Sequence, residues 1–327
     1  MFTARFIRSW IGAFGLAAGA FGQTYVQFSV GSTTFPASIN DKGEIAGTYG
    51  DNVGPSHGFI RDPNGTITTF HVPGSGSTYV SSINDTGAIT GAYTVLQSGE
   101  IHAYIRDPEG NFTTFAVPGA FFTTPRTINT GGTVFGVYSD SNSVLLGGFV
   151  RRNDGTLISF SFTPPGSIAT TPRSINATGA IAGYYQDENR LFHGFVREPS
   201  GHIISFDPPG STGTTAYSIN YAGAITGIYV GANGRLFGFV RDPQGEFTSF
   251  DPGLNTGASI INDEGVITGV RSGAPNAFVR SPEGTITLFD SPVCPVGATY
   301  PRSMNNQGVI TGTCGGVSTT PNWVRFP

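Results

Sequence analysis

Residues 170–208 read TTPRSINATGAIAGYYQDENRLFHGFVREPSGHIISFDP. Four runs rich in β-branched and aromatic residues stand out: TTPRSIN, AIAGYYQ, FHGFVRE and HIISFDP, designated strands a, b, c and d. An Asn-x-x-Gly turn (Asn176 to Gly179) separates a from b, and Glu198-Pro199-Ser200-Gly201 separates c from d. Both have type I turn chemistry: Asn or an acid accepts from the turn backbone, Pro presets φ at the second position, and Gly tolerates the last. Such tight turns predict a four-stranded antiparallel meander.

The same unit recurs along the chain. Its Asn falls at Asn40, Asn84, Asn129, Asn176, Asn220, Asn262 and Asn305, at intervals of 44, 45, 47, 44, 42 and 43 residues. Periods of this size predict a propeller or a solenoid array. Strand d decides between them. It pairs an apolar residue with Phe three positions on, as in Ile67/Phe70, Phe112/Phe115 and Ile203/Phe206. Odd spacing puts the two on opposite faces, so each sheet is apolar on both sides, as required between two neighbours in a ring. The ends complement each other. Tyr25 to Val30 reads as a lone d strand, while the last unit stops at a c strand, Asn322 to Phe326, with no d of its own. The expected fold is therefore all-β: a seven-bladed β-propeller of four-stranded antiparallel blades, its ring closed by the N-terminal strand completing the last blade. A β-solenoid or an open, capped array is the rival reading.

Composition agrees. The 327 residues include 48 Gly, 22 Pro, 26 Phe and 12 Tyr but only 12% charged side chains, which supplies turns and aromatic filler for many short strands. Residues 1–22 combine Arg5 and Arg8 with an apolar stretch and a small-x-small end, the pattern of a secretory signal cleaved after Gly22; an uncleaved anchor is the competing reading. This predicts a secreted or periplasmic protein with one domain, 23–327. Without Arg5 and Arg8, 15 basic residues face 21 acidic ones, a net of −6, and Lys42 is the only lysine. Nucleic-acid binding is disfavoured, as is a polybasic membrane surface. No membrane insertion is expected after cleavage, and a monomer is.

The core HGFVRxPxG, followed by SINxxGxIxGxY, resembles the HAF-family extracellular repeats of bacterial exported proteins. The tripeptide of that family is matched at His57-Gly58-Phe59, His102-Ala103-Tyr104, His193-Gly194-Phe195 and Asn276-Ala277-Phe278. After the Phe, Val-Arg-Asp-Pro stands where that family has Leu-Trp. The resemblance implies an exported repeat protein and brings no catalytic residues.

Because a–b and c–d are the tight turns, the longer d–a and b–c connections share the opposite rim, where recognition is expected. Strand b ends there with Tyr49, Tyr93, Tyr138, Tyr185 and Tyr229, replaced by Arg271 and Cys314 in the last two units. These could form an aromatic crown for sugar rings, or could pack as filler between blades. Strand a carries Arg126, Arg173 and Arg302, three guanidinium groups able to bind carboxylate, sulfate or phosphate unless acids such as Asp187 or Glu188 claim them. His57, His102 and His193 open strand c on the same rim, while His71 and His202 read as superficial. His193 with Tyr185 and Arg173 is a candidate β-elimination site for a uronate polysaccharide; repeat ancestry explains the histidines equally. Arg61, Arg106, Arg151, Arg197, Arg241, Arg280 and Arg325 recur in all seven units and read as structural. Cys294 and Cys314 map to one face of one blade and are expected to form a disulfide in an oxidising compartment. No metal spacing, nucleotide fingerprint or other cofactor motif is found. Three functions compete: a binding module for an extracellular glycan or protein, a carbohydrate-active enzyme such as a polysaccharide lyase, and a structural or surface-display protein.

Overall fold

The computed structural model describes residues 23–51, 53–160, 164, 166–253, 255–315 and 321–327, so the expected signal segment 1–22 lies outside the described residues. No helix is present among the described residues, and none is long and apolar enough to cross a membrane. Strand β1 (Tyr25–Phe28) comes first. Next come β2 (Thr33–Ile39), β3 (Ile45–Gly50), β4 (His57–Arg61) and β5 (Ile67–Phe70), then β6 (Ser75–Ile83), β7 (Ile89–Val95), β8 (Ile101–Arg106) and β9 (Phe112–Phe115). The middle of the chain holds β10 (Phe122–Ile128), β11 (Val134–Ser139), β12 (Leu145–Arg151) and β13 (Leu157–Phe160), then β14 (Ser167–Ile175), β15 (Ile181–Asp187), β16 (Phe192–Arg197) and β17 (Ile203–Phe206). There follow β18 (Ser211–Ile219), β19 (Ile225–Gly231), β20 (Leu236–Arg241) and β21 (Phe247–Phe250), then β22 (Gly257–Ile261), β23 (Ile267–Val270), β24 (Ala277–Arg280) and β25 (Ile286–Phe289). The chain ends with β26 (Thr299–Met304), β27 (Ile310–Cys314) and β28 (Asn322–Arg325).

Each quartet from β2 onward pairs in sequence order as an antiparallel meander; a single parallel bridge, Phe122 to Ile101, joins the second and third. The last three strands take β1 as their fourth, with Tyr25 opposite Arg325 and Phe28 opposite Asn322. That is the pairing of the two ends read from the sequence.

Why these residues form these sheets is clearest at the I-x-G motif of each second strand. Gly47, Gly136 and Gly312 face Phe59, Phe149 and Trp323 across the ladder. A Cβ on Gly312 would lie 2.2 Å from the Trp323 indole, and one on Gly47 only 2.3 Å from the Phe35 carbonyl oxygen. The glycine is what lets the third-strand aromatic lie flat across its neighbour. Phe59, Tyr104, Phe149, Phe195, Phe239, Phe278 and Trp323, one per sheet, are all fully buried. The arginines read as structural share one arrangement. Arg61, Arg106, Arg151, Arg197, Arg241, Arg280 and Arg325 each stack on a Phe from the preceding outer strand, at 4.0–5.4 Å from ring centroids. Such cation–π contacts bond sheet to sheet.

First strands touch in a circuit: β2, β6, β10, β14, β18, β22, β26 and back to β2. The repeated asparagines sit at its turn end. Asn40 Nδ2 donates to the Asn84 carbonyl, Asn84 to Asn129, Asn176 to Asn220, Asn220 to Asn262, Asn262 to Asn305, and Asn305 back to Asn40, at 2.8–3.1 Å. The Oδ1 of each accepts from its own turn, as Asn220 does from Ala224 N–H at 2.9 Å. Asparagine is needed because one side chain must accept within its turn and donate to the next sheet. Replacing Asn220 with alanine is therefore expected to cost about 1–3 kcal/mol, since it leaves the Ala224 N–H without its acceptor and removes one of the two hydrogen bonds to the buried Asn262 carbonyl, which keeps that from Gly265 N–H. Urea denaturation checks this against Asn220→Asp, which keeps the acceptor and loses the donor.

Candidate functional site: the inner strands and the loop-rich rim

Every first strand slips register by one residue at the same place. The skipped residues are Ala37, Ser81, Arg126, Arg173, Tyr217, Ser259 and Arg302. A bulged residue has no ladder partner, and the kink re-aims its side chain. The three arginines singled out in the sequence thus occupy one repeated position on the first strands, and all three are exposed.

Their surroundings differ. Arg126 has no hydrogen-bond or ion-pair partner among the described residues, and its pKa is pushed down by enclosure and then by the like charge of Arg173. Arg173 stacks on the ring of Tyr217, the next bulge residue, at 5.2 Å, and likewise has no acidic partner among the described residues. The acid expected to claim them is occupied elsewhere: Asp187 accepts from Leu191 N–H at 2.7 Å and faces His193. Arg126 and Arg173 are neighbours on β10 and β14. Arg302 stands apart on β26, with β18 and β22 between it and β14, and donates its Nε–H to Thr313 at 3.3 Å.

The tyrosines lie one strand farther out, each opposite one of the first three residues of the third strand. Tyr49 packs on His57 at 5.4 Å between centroids, Tyr93 on His102 at 5.9 Å, Tyr185 on His193 at 5.1 Å and Tyr229 on Phe237 at 5.4 Å. Tyr138 faces Gly147, which has no ring to offer. Tyr185 is buried and Tyr229 donates its hydroxyl to Ser249 at 3.1 Å. These rings spend much of their surface on their own sheets.

The histidines are held in three ways. His102 lies 3.1 Å from Glu100. His57 packs 4.7 Å from His71, and burial followed by the His71 charge pushes its pKa down. His71 is not superficial as the sequence reading had it: its Nε2 meets Ser75 Oγ at 3.0 Å and its Nδ1 Thr78 Oγ1 at 3.3 Å, locking the turn into β6. His202 does lie exposed, 3.6 Å from Glu198.

His193 is clamped between two carboxylates, Nδ1 to Asp207 at 2.7 Å and Nε2 to Asp187 at 3.5 Å, while Thr214 donates to the far oxygen of Asp207. Burial alone would lower its pKa, but the hydrogen bonds and charges of Asp207 and Asp187 outweigh it and leave His193 raised. Both ring nitrogens therefore face carboxylates, Nδ1 at hydrogen-bond distance and Nε2 at the longer separation. A raised folded pKa stabilises fully below the unfolded value of about 6.5 and loses that contribution as pH climbs through the folded value. The melting-temperature gap between the wild type and His193→Gln should accordingly shrink between about pH 6 and pH 8. A gap that widens over that range would contradict the clamp.

Two open pockets take in residues of the b–c or d–a connections together with strand residues. One, about 690 Å³, includes Thr256, Arg271, Val296 and Tyr300. The other, about 620 Å³, lies between β10–β12 and β14 and has Arg126 in its wall with Leu145, Leu146 and Ile168. Sequence reading missed these aliphatics. Their signal was there, an apolar run Val144-Leu145-Leu146 at the end of a stretch that is otherwise Ser, Asp and Asn. The Cys294–Cys314 disulfide is present, tying the loop before β26 to the end of β27 with Cα atoms 5.0 Å apart.

No family model matches the chain, and no curated protein does. Solved structures do match in shape. A streptogramin B lyase superposes with a TM-score of 0.61 at 16% identity, over 93% of this chain and 97% of that one. A catalytically inactive virginiamycin B lyase from Staphylococcus aureus with quinupristin gives 0.60 at 14%, over 93% and 99%. The β-propeller domain of the Trilobed protease from Pyrococcus furiosus, described as having an open velcro topology, gives 0.61 at 10%, over 90% and 95%. Identities this low carry the fold alone: the chain is a β-propeller.

Proposed function

We propose that residues 23–327 form one closed, seven-bladed propeller that is exported and serves as a binding module for an acidic extracellular ligand, glycan or protein, taken on the loop-rich rim. Closure is supported by the pairing of β1 with β28, by the return of the first-strand circuit to β2 and by the Asn305 to Asn40 hydrogen bond. Export is supported by the disulfide, by the basic and apolar character of residues 1–22, and by the likeness of the repeats to HAF-family sequences. The observation that carries the function is the Arg126 and Arg173 pair: two neighbouring cations on the inner strands, with no acidic partner among the described residues. A protein of net negative charge that leaves two guanidinium groups side by side and unneutralised has a place prepared for an anion. A lyase reading finds less support, because the His193 imidazole is committed to Asp207 and Asp187.

The test is a binding and cleavage screen of purified protein against acidic polysaccharides (polygalacturonate, alginate, a sulfated glycan), an acidic protein and neutral polysaccharides. Retention on an acidic ligand, weakened by salt and without release of unsaturated uronates, is the expected result. Equal retention on neutral glycans, or turnover abolished by His193→Ala, would overturn it.

A further inference from the structure

We infer that the ligand taken at Arg126 is amphipathic, its acid group meeting the guanidinium and an aliphatic segment lying along the groove between β12 and β14. This deepens the anion-binding reading above and rests on it. The groove is about 620 Å³, within the size range of small-molecule sites. Its outer part exposes four aliphatic side chains together: Val144 at 57%, Leu145 at 38%, Leu146 at 45% and Ile168 at 57%. Single exposed aliphatics are ordinary on any surface, but four lining one groove form a patch of the kind that marks binding. Val144 belongs to the b–c connection, Leu145 and Leu146 open β12 and Ile168 lies near the start of β14; at its own b–c turn the neighbouring sheet has Asp187, Glu188, Asn189 and Arg190 instead. In the same wall stands Arg126, a cation without a hydrogen-bond or ion-pair partner among the described residues.

Charge and apolar surface therefore line one cavity. A simple inorganic anion would satisfy Arg126 and leave the aliphatics wet; a neutral hydrocarbon would do the reverse. Only a molecule with both parts uses the whole groove. The hydroxyls of Ser139, Ser143 and Thr171 along the wall can serve the acid oxygens or bound water, and they add no charge of their own. The occupant chemistry is that of an aliphatic carboxylate.

Isothermal titration with acetate, hexanoate, octanoate and decanoate, all below their micellar concentrations, tests this on the intact mature protein. Affinity should rise about fourfold per added methylene until the groove is filled, with octan-1-ol binding far more weakly than octanoate. Arg126→Gln should weaken every acid by about tenfold and keep the chain-length slope, whereas Leu145→Ser with Leu146→Ser should flatten the slope. Both leucines are exposed, so the variant should fold, and its melting curve confirms that. A flat chain-length series in the wild type, or a slope unchanged in the double-serine variant, overturns the inference. If acidic polysaccharides bind through Arg126 while no aliphatic acid does, this inference fails and the anion site stands. If neither binds, both fail.

Discussion

Trp323→Ala is expected to destabilise the protein by about 3–5 kcal/mol, among the largest losses a single core truncation produces. Trp323 is fully buried in β28 and stands across from Gly312, which has no side chain to fill the space left behind. Its indole meets Tyr25 at 6.5 Å on one side and Phe289 at 6.0 Å on the other, each edge to face. Tyr25 belongs to β1 and Phe289 to the outer strand of the previous sheet, so one side chain joins both chain ends to a neighbouring blade. Backbone pairing cannot replace it, because β1 spans only four residues, Tyr25–Phe28. Urea denaturation at neutral pH reads the effect as a lower midpoint with an unchanged slope. Reduction of Cys294–Cys314 should deepen it by about 3 kcal/mol, since that bridge constrains the same sheet in the unfolded chain. A loss under about 1 kcal/mol would mean that the sheet made from both chain ends is not what holds the fold together.

The fold was legible because its rules repeat. A glycine that admits an aromatic, an asparagine that links turns and an arginine that stacks on the preceding sheet must each appear in every unit, so periodicity exposes them. The arginine reading needed no structure: a residue required seven times answers to architecture, and all seven stack alike. The site was less legible for the opposite reason. Binding breaks the repeat, and a break has no second copy to compare. Arg126 and Arg173 could be picked out as departures at one position, but that the position is a bulge, and that Tyr217 shares it, emerges only from the register. The tyrosines were open to two readings, a crown or filler, and that Tyr49 and Tyr185 rest on the cross-strand histidine emerges only from the register. His193 looked reactive from its neighbours in sequence, yet Asp207, fourteen residues away across the c–d hairpin, is what closes on it.

Reversing both inner arginines, Arg126→Glu with Arg173→Glu, is expected to abolish binding of an acidic ligand, at least a hundredfold in affinity. A hydrogen bond to a charged group contributes about 1.5–3 kcal/mol, so losing one alone costs roughly ten- to a hundredfold. Reversal adds repulsion where attraction was, and the two sites are close enough for Arg173 to depress the Arg126 pKa. Stability should move differently. Both residues are exposed bulge positions with no acidic partner among the described residues, so the variant loses the stacking of Arg173 on Tyr217 and exchanges one exposed like-charge pair for another. Its melting temperature should stay within a few degrees of the wild type. That contrast separates a ligand site from a structural one: a structural pair would lower the melting temperature along with the affinity. Arg302→Glu serves as the internal comparison, expected to weaken binding less because its guanidinium is already engaged with Thr313 on a distant sheet. Added salt should weaken the wild type toward the variant, since charges exposed on the inner strands are screened over about 8 Å at physiological ionic strength. Undiminished binding in the double variant would remove the anion site from the inner strands and leave the second pocket, with Arg271 and Thr256 in its wall, as the place to look.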